Sequence, residues 1–143
     1  FAYRSSGRFI VDNIRSDEKA SIFLFDGAIV TTPTNFVSIT LLATSIRLRL
    51  NLPTINVITK TDVIDTKLAE ILQWSTSLNT LENAVSKDTD GETYALTTSI
   101  LRGLNLNGFE EALIPISNST GEGIVNLESA LSRILNLGEE AED

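Results

Sequence analysis

The sequence contains no cysteine, no histidine and no methionine. Without cysteine there are no disulfides and no thiolate metal sites, and without histidine the commonest acid–base catalyst and metal ligand are gone. Any chemistry therefore rests on carboxylates, Lys, Arg, hydroxyls or backbone groups. The lack of methionine, with Phe1 in first position, makes the chain read as a fragment or a processed product. Basic residues are also few, 11 against 19 acidic ones, for a net charge of −8. No cluster of Lys and Arg offers the surface that nucleic acid or an anionic membrane requires. Half of the net charge lies in Glu139, Glu140, Glu142 and Asp143, which read as a solvated end. The most apolar stretch, Phe36 to Leu50, is too short to span a bilayer and carries Arg47 and Arg49. No signal peptide is visible, so a cytoplasmic location is expected.

What is present suits one domain. The 143 residues are 42% hydrophobic, enough to fill a core. Residues 1–138 are expected to form it, with 139–143 as an acidic tail. Phe9, Ile10 and Ile14 follow helical spacing and predict an opening helix that ends near Ser16. Ala20 to Phe25 is a continuous apolar run stopped by Asp26 and Gly27, which suits a strand covered on both faces. Pro33, Thr34 and Asn35 supply start signals for a helix marked by Phe36, Ile39, Leu42, Ala43 and Ile46. Ile46, Leu48 and Leu50 alternate like a strand, yet a crossover is needed between two buried parallel strands, so helix is the reading. Pro53 opens a second strand, Thr54 to Thr59, and Asp65 is placed to cap the next helix. That helix shows Leu68, Ile71, Leu72, Ser75 and Leu78 on one face. A turn from Ser86 to Gly91 precedes another helical pattern, Glu92 to Leu104. Ala112 to Ile116 is the third strand, and Ile124, Leu127, Leu131, Ile134 and Leu135 mark a last helix stopped by Gly138. The alternation predicts an α/β fold with three parallel strands in sequential order and a helical insertion before the last one.

Two loops carry the chemistry. Thr59-Lys60-Thr61-Asp62 stands at the carboxyl end of the second strand, where open α/β sheets hold ligands. An Asp there accepts hydrogen bonds from N1 and the exocyclic N2 of guanine, which adenine cannot offer, and Lys60 can lay its methylene stem along the base. Alone, the four residues read rather as a polar strand end leading into a helix cap. The second loop, Ser117-Asn118-Ser119-Thr120-Gly121-Glu122-Gly123, follows the third strand and so lies on the same edge of the sheet. With strands about 4.8 Å apart, the two loops can touch opposite parts of one purine, and a backbone N–H from Ser117 to Ser119 could donate to guanine O6.

Other motifs fail on spacing. Asp88-Thr89-Asp90-Gly91 imitates a calcium loop, but its first and twelfth positions would be Ser86 and Thr97. Asp26 ends an apolar strand as a magnesium-binding Asp does, but reads as structural. Gly121-Glu122-Gly123 lacks the Lys-Ser/Thr of a phosphate loop, and Trp74 reads as packing within an amphipathic helix.

The segment Phe23 to Ile64, FLFDGAIVTTPTNFVSITLLATSIRLRLNLPTINVITKTDVI, resembles the matching part of GPN-loop GTPases: a strand ending in Asp, a Pro-Thr-Asn-Phe helix start, a Leu-Pro step and a K-x-D element, in that order. The opening FAYRSSGRFIVDNI resembles the helix after that family's D-x-P-G-Q switch element, and ISNSTGEGIVNLESAL its second base-binding loop and final helix. The resemblance implies a P-loop NTPase-like, three-layer fold in which Thr59, Lys60, Asp62, Ser117, Asn118 and Ser119 contact guanine. It also implies GTP or GDP as ligand, Mg²⁺ in the intact protein, a homodimer, and protein partners in RNA polymerase assembly. Thr59 stands where N-K-x-D has Asn, and Asn118 and Ser119 stand where S-A-K has Ala and Lys. The chain has no G-x-x-x-x-G-K-[ST], no switch carboxylate and no Gly-Pro-Asn loop, so phosphate and magnesium binding, and hence catalysis, are expected outside it. The alternatives are a scaffold or interaction module without nucleotide chemistry, and a G domain of another family.

Overall fold

The apolar runs form a three-stranded sheet in the computed structural model, which describes residues 3–105 and 112–136. β1 (Ser21–Asp26) and β2 (Thr54–Thr59) are parallel and in register from Ser21↔Thr54 to Asp26↔Thr59. β3 (Ile114–Pro115) pairs parallel to the other side of β2, giving the order β1-β2-β3. Because alternate side chains point to opposite faces of a strand, the sheet has two distinct sides. Phe25 and Ile58 face one cluster with α2 (Pro33–Leu50), α3 (Asp65–Thr76), α4 (Leu78–Asp88) and α5 (Gly91–Asn105). Ile55, Val57 and Ile116 face the other, under α6 (Ile124–Asn136) through Leu127, Ala130, Leu131 and Ile134.

The larger cluster centres on aromatic contacts. Phe25 lies 5.8 Å from Phe36, which lies 5.8 Å edge-on to Trp74, ring centre to ring centre. Trp74 is buried, as its place in an amphipathic helix suggests. α2 starts with Pro33 in its first turn and the Thr32 hydroxyl accepting Asn35 N–H, a favourable start because an N-terminal Pro loses no helical hydrogen bond. It ends at Asn51, whose left-handed conformation lets its N–H close on Arg47 O. α1 (Ser5–Asn13) rests on that end through Val11 against Leu50, and Arg8 donates to Leu50 O.

Several boundaries differ from the expected ones. The opening helix stops at Asn13. The first strand begins at Ser21, where Ser21 N–H joins Pro53 O. Asp65 is the first residue of α3 and makes no cap; Ile64 precedes it without a side-chain bond. Leu42, expected in the core, is 40% exposed, while Val37 and Thr40 take the inward positions beside Phe36 and Ala43. The expected turn from Ser86 overlaps the end of α4, a helix that begins at Leu78 because the Ser77 side chain accepts Thr80 N–H and caps it. The third strand is two residues long where five were expected, since Pro115 has no N–H to add to a ladder. The stop at Gly138 and the acidic tail lie outside the described residues.

Among the described residues β1 has one strand neighbour, and Ile22 and Leu24, on the α6 side of the sheet, are 41% and 58% exposed. An apolar edge of this kind invites pairing with another chain. If the chain self-associates through this edge, Leu24→Lys should abolish the association in light scattering while changing stability by no more than about 0.5 kcal/mol. Unchanged association would place the sticky surface elsewhere. No described helix is long and apolar enough to cross a membrane.

Candidate functional site

β2 and β3 end side by side, and the two loops leaving them are joined. Thr59 closes β2: its hydroxyl donates to Phe25 O at 3.3 Å and its carbonyl accepts Gly27 N–H. A Cβ on Gly27 would sit 2.5 Å from that carbonyl, so only glycine lets the loop after β1 approach this closely. The chain then turns sharply at Lys60, which has left-handed φ 59 and ψ 39, into a 3₁₀ turn, Thr61–Val63. Thr61 is buried, and its N–H donates to Ile116 O, the carbonyl just past β3.

This backbone link sets Asp62 beside Ser117. The Ser117 hydroxyl donates to Asp62 Oδ1 at 2.6 Å and accepts Thr120 N–H at 3.3 Å. Ser117 is 1% exposed, so its hydroxyl is held in one place. Its own backbone is used inward as well, with Ser117 N–H on Glu122 O and Gly121 N–H on Ser117 O. The loop folds tightly back on β3: a Cβ on Gly123, at φ +79, would lie 1.9 Å from Pro115 O. Asp62 itself is exposed, and among the described residues its Oδ2 has no hydrogen-bond partner, so it is free to accept from a ligand. Asn118 and Ser119 lie on the exposed outer part of the turn.

Four of the six residues expected at a base, Thr59, Lys60, Asp62 and Ser117, are thus tied into one knot across the strand ends; Asn118 and Ser119 lie beside it. Asp26, read from the sequence as structural, is tied to the same knot. It ends β1 opposite Thr59, accepts Lys60 Nζ at Oδ2 at 2.7 Å and Ala28 N–H at Oδ1 at 3.0 Å. The Lys60 hydrogen bond, helped by Ala28 N–H, holds the Asp26 carboxyl below the ordinary carboxylate range, so it stays anionic. The sequence signal that could have found it is the register itself, because strands of equal length bring both ends to one level.

Among the described residues no three His, Cys, Asp or Glu side chains gather around a point, and both oxygens of Asp26 are engaged. A cavity of about 520 Å³ lined by Thr44, Arg47, Leu48, Asn51, Leu52 and Pro53 opens at the other end of the sheet, where β2 begins. None of the expected site residues lines it.

A family profile described as "Conserved hypothetical ATP binding protein" matches residues 1–137. Among solved structures the chain is similar to PAB0955, a GTPase in apo form from Pyrococcus abyssi, with a TM-score of 0.78 and 16% identity over 93% of this chain. The chain spans 53% of that protein, about half its length. At this identity the likeness is one of fold, and the three parallel strands in order with helices on both sides match a P-loop NTPase-like fragment.

Proposed function

This chain belongs to the conserved hypothetical ATP binding protein family, and from that premise we propose that it is the base-reading part of a nucleotide-binding domain selective for guanine. The observation that carries the reading is the 2.6 Å bond from buried Ser117 to Asp62, at the adjoining ends of two parallel strands. A carboxylate aimed by Ser117 at Oδ1 keeps a second lone pair there and an open Oδ2, which together match a flat edge with two adjacent donors, as guanine has and adenine lacks. That PAB0955 is a GTPase agrees with that choice. Hydrolysis of GTP with Mg²⁺, a dimer of the GPN-loop type, a cytoplasmic setting and partners in polymerase assembly belong to the same proposal for the intact protein.

Titration of GTP and ATP on the intact protein tests this reading. Two hydrogen bonds to a charged acceptor, each about 1.5 to 3 kcal/mol, predict a preference for GTP of about 100-fold or more. Equal affinities, or a preference for ATP, would remove the guanine assignment. The 143-residue chain alone is expected to bind GTP weakly and to release no phosphate above background, because positional and electrostatic work in phosphoryl transfer falls on a phosphate loop and metal. Magnesium-dependent turnover that survives removal of trace contaminants would show that catalytic groups lie within it.

A further inference from the structure

Lys60 is fixed at both ends. Its backbone holds a left-handed conformation that is unfavourable for a residue with a Cβ, and such strain persists where the surroundings over-determine it. Here Gly27 N–H on Thr59 O, Thr61 N–H on Ile116 O and Val63 N–H on Lys60 O bracket the turn. The far end is anchored by Asp26, whose second oxygen is itself pinned by Ala28 N–H. Between the two anchors the lysine side chain is 54% exposed. The result is an apolar stem anchored at both ends, two residues from Asp62. An unanchored surface lysine samples many rotamers, and a ligand that stacks on it must order them; an anchored one has been ordered beforehand.

We propose that Asp26 is a positioning residue for nucleotide recognition: by holding Lys60 Nζ it keeps the lysine stem in place as a shelf for the purine face, while Asp62 reads the purine edge. The inference rests on the base-reading role given to Asp62 above. The pair contributes little to the fold, as partly exposed ion pairs do, so its effect falls on binding.

A double-mutant cycle in the intact protein, read by the dissociation constant of a fluorescent GDP analogue, separates this role from a structural one. Asp26→Asn is expected to weaken GDP binding roughly fivefold, with the GTP to XTP preference and the thermal midpoint unchanged. In a Lys60→Ala background the same substitution is expected to do nothing further, and Asp26→Glu is expected to recover part of the loss. An equal loss in both backgrounds would assign Asp26 to the Ala28 turn and overturn the proposal, as would full affinity in a folded Asp26→Asn protein. If Asp62→Asn leaves the GTP to XTP ratio untouched, guanine reading fails, yet coupling between Asp26 and Lys60 would still support the shelf. A wild-type protein that binds no GDP would sink both.

Discussion

Replacing Asp62 by Asn in the intact protein is expected to lower GTP affinity by about 100-fold or more and to move the preference toward XTP. The loss follows from two charge-assisted hydrogen bonds at roughly 1.5 to 3 kcal/mol each. The change of preference follows from the direction in which the new amide points. Ser117 donates its hydroxyl proton to Oδ1 while accepting from Thr120 N–H, so the amide oxygen is favoured at Oδ1 and the NH₂ takes the place of Oδ2. That NH₂ meets the donor edge of guanine as a clash of donors, and meets the xanthine carbonyl as a partner. Asp62→Ala should lose GTP without gaining XTP. A purely structural Asp62 would behave otherwise, both variants lowering the thermal midpoint and leaving the GTP to XTP ratio as it was. Paired titrations of the two nucleotides, with folding checked by circular dichroism, decide the matter. An unchanged ratio in a folded Asp62→Asn protein would favour a scaffold without nucleotide chemistry.

The largest effect on stability is expected at Gly123. Its φ of +79 is disfavoured for any residue with a Cβ, and that Cβ would stand 1.9 Å from Pro115 O and 3.2 Å from Ile116 Cα, both backbone atoms. Backbone cannot swing aside as a side-chain tip does, so Gly123→Ala must push the loop off β3. We expect a loss of roughly 3 kcal/mol or more in urea unfolding. Gly121→Ala is the matched control: φ is +78, but nothing lies within 4 Å of the added carbon. It should cost only the conformational part, about 1 kcal/mol. Equal losses for the two variants would show that crowding against Pro115 is unimportant. Because Ser117 lies in the displaced loop, Gly123→Ala should also weaken nucleotide binding in whatever fraction stays folded.

Much of this architecture was legible from local pattern. β2 runs from Thr54 to Thr59 as expected, because Pro53 and the polar Lys60 bound a short apolar run on both sides. α2 was legible despite its β-branched residues, since the need for a crossover outweighed the strand-like alternation of Ile46, Leu48 and Leu50; Leu48 proves to be 79% exposed. Where tertiary contacts decide, pattern failed. α4 escaped because the face of α3 was carried on to Leu78, when Ser77 breaks the helix and starts the next. β3 was over-extended because apolar character says nothing of which N–H groups have partners. In the site, the meeting of the two loops followed from strand order alone, but the contact of Asp26 with Lys60 did not. Its partner is 34 residues away, and only the pairing of Asp26 with Thr59 places it next to Lys60.

The short β3 also has a consequence in time. Asp62 is synthesised long before Ser117, and β1 and β2 can pair without waiting for anything that follows Thr59. β3 adds only two ladder positions, with the links from Ile116 N–H to Ile58 O and from Thr61 N–H to Ile116 O just beyond them. With so short a ladder, its anchorage comes from the side chains around it, Leu113 in one core cluster and Ile114 and Ile116 at the other. Each brief detachment of β3 would carry Ser117 away from Asp62 and leave the carboxylate unaimed, with the remaining sheet intact. Loss of β3 from the sheet would thus disperse the Asp62–Ser117 pair while the pairing of β1 with β2 stood.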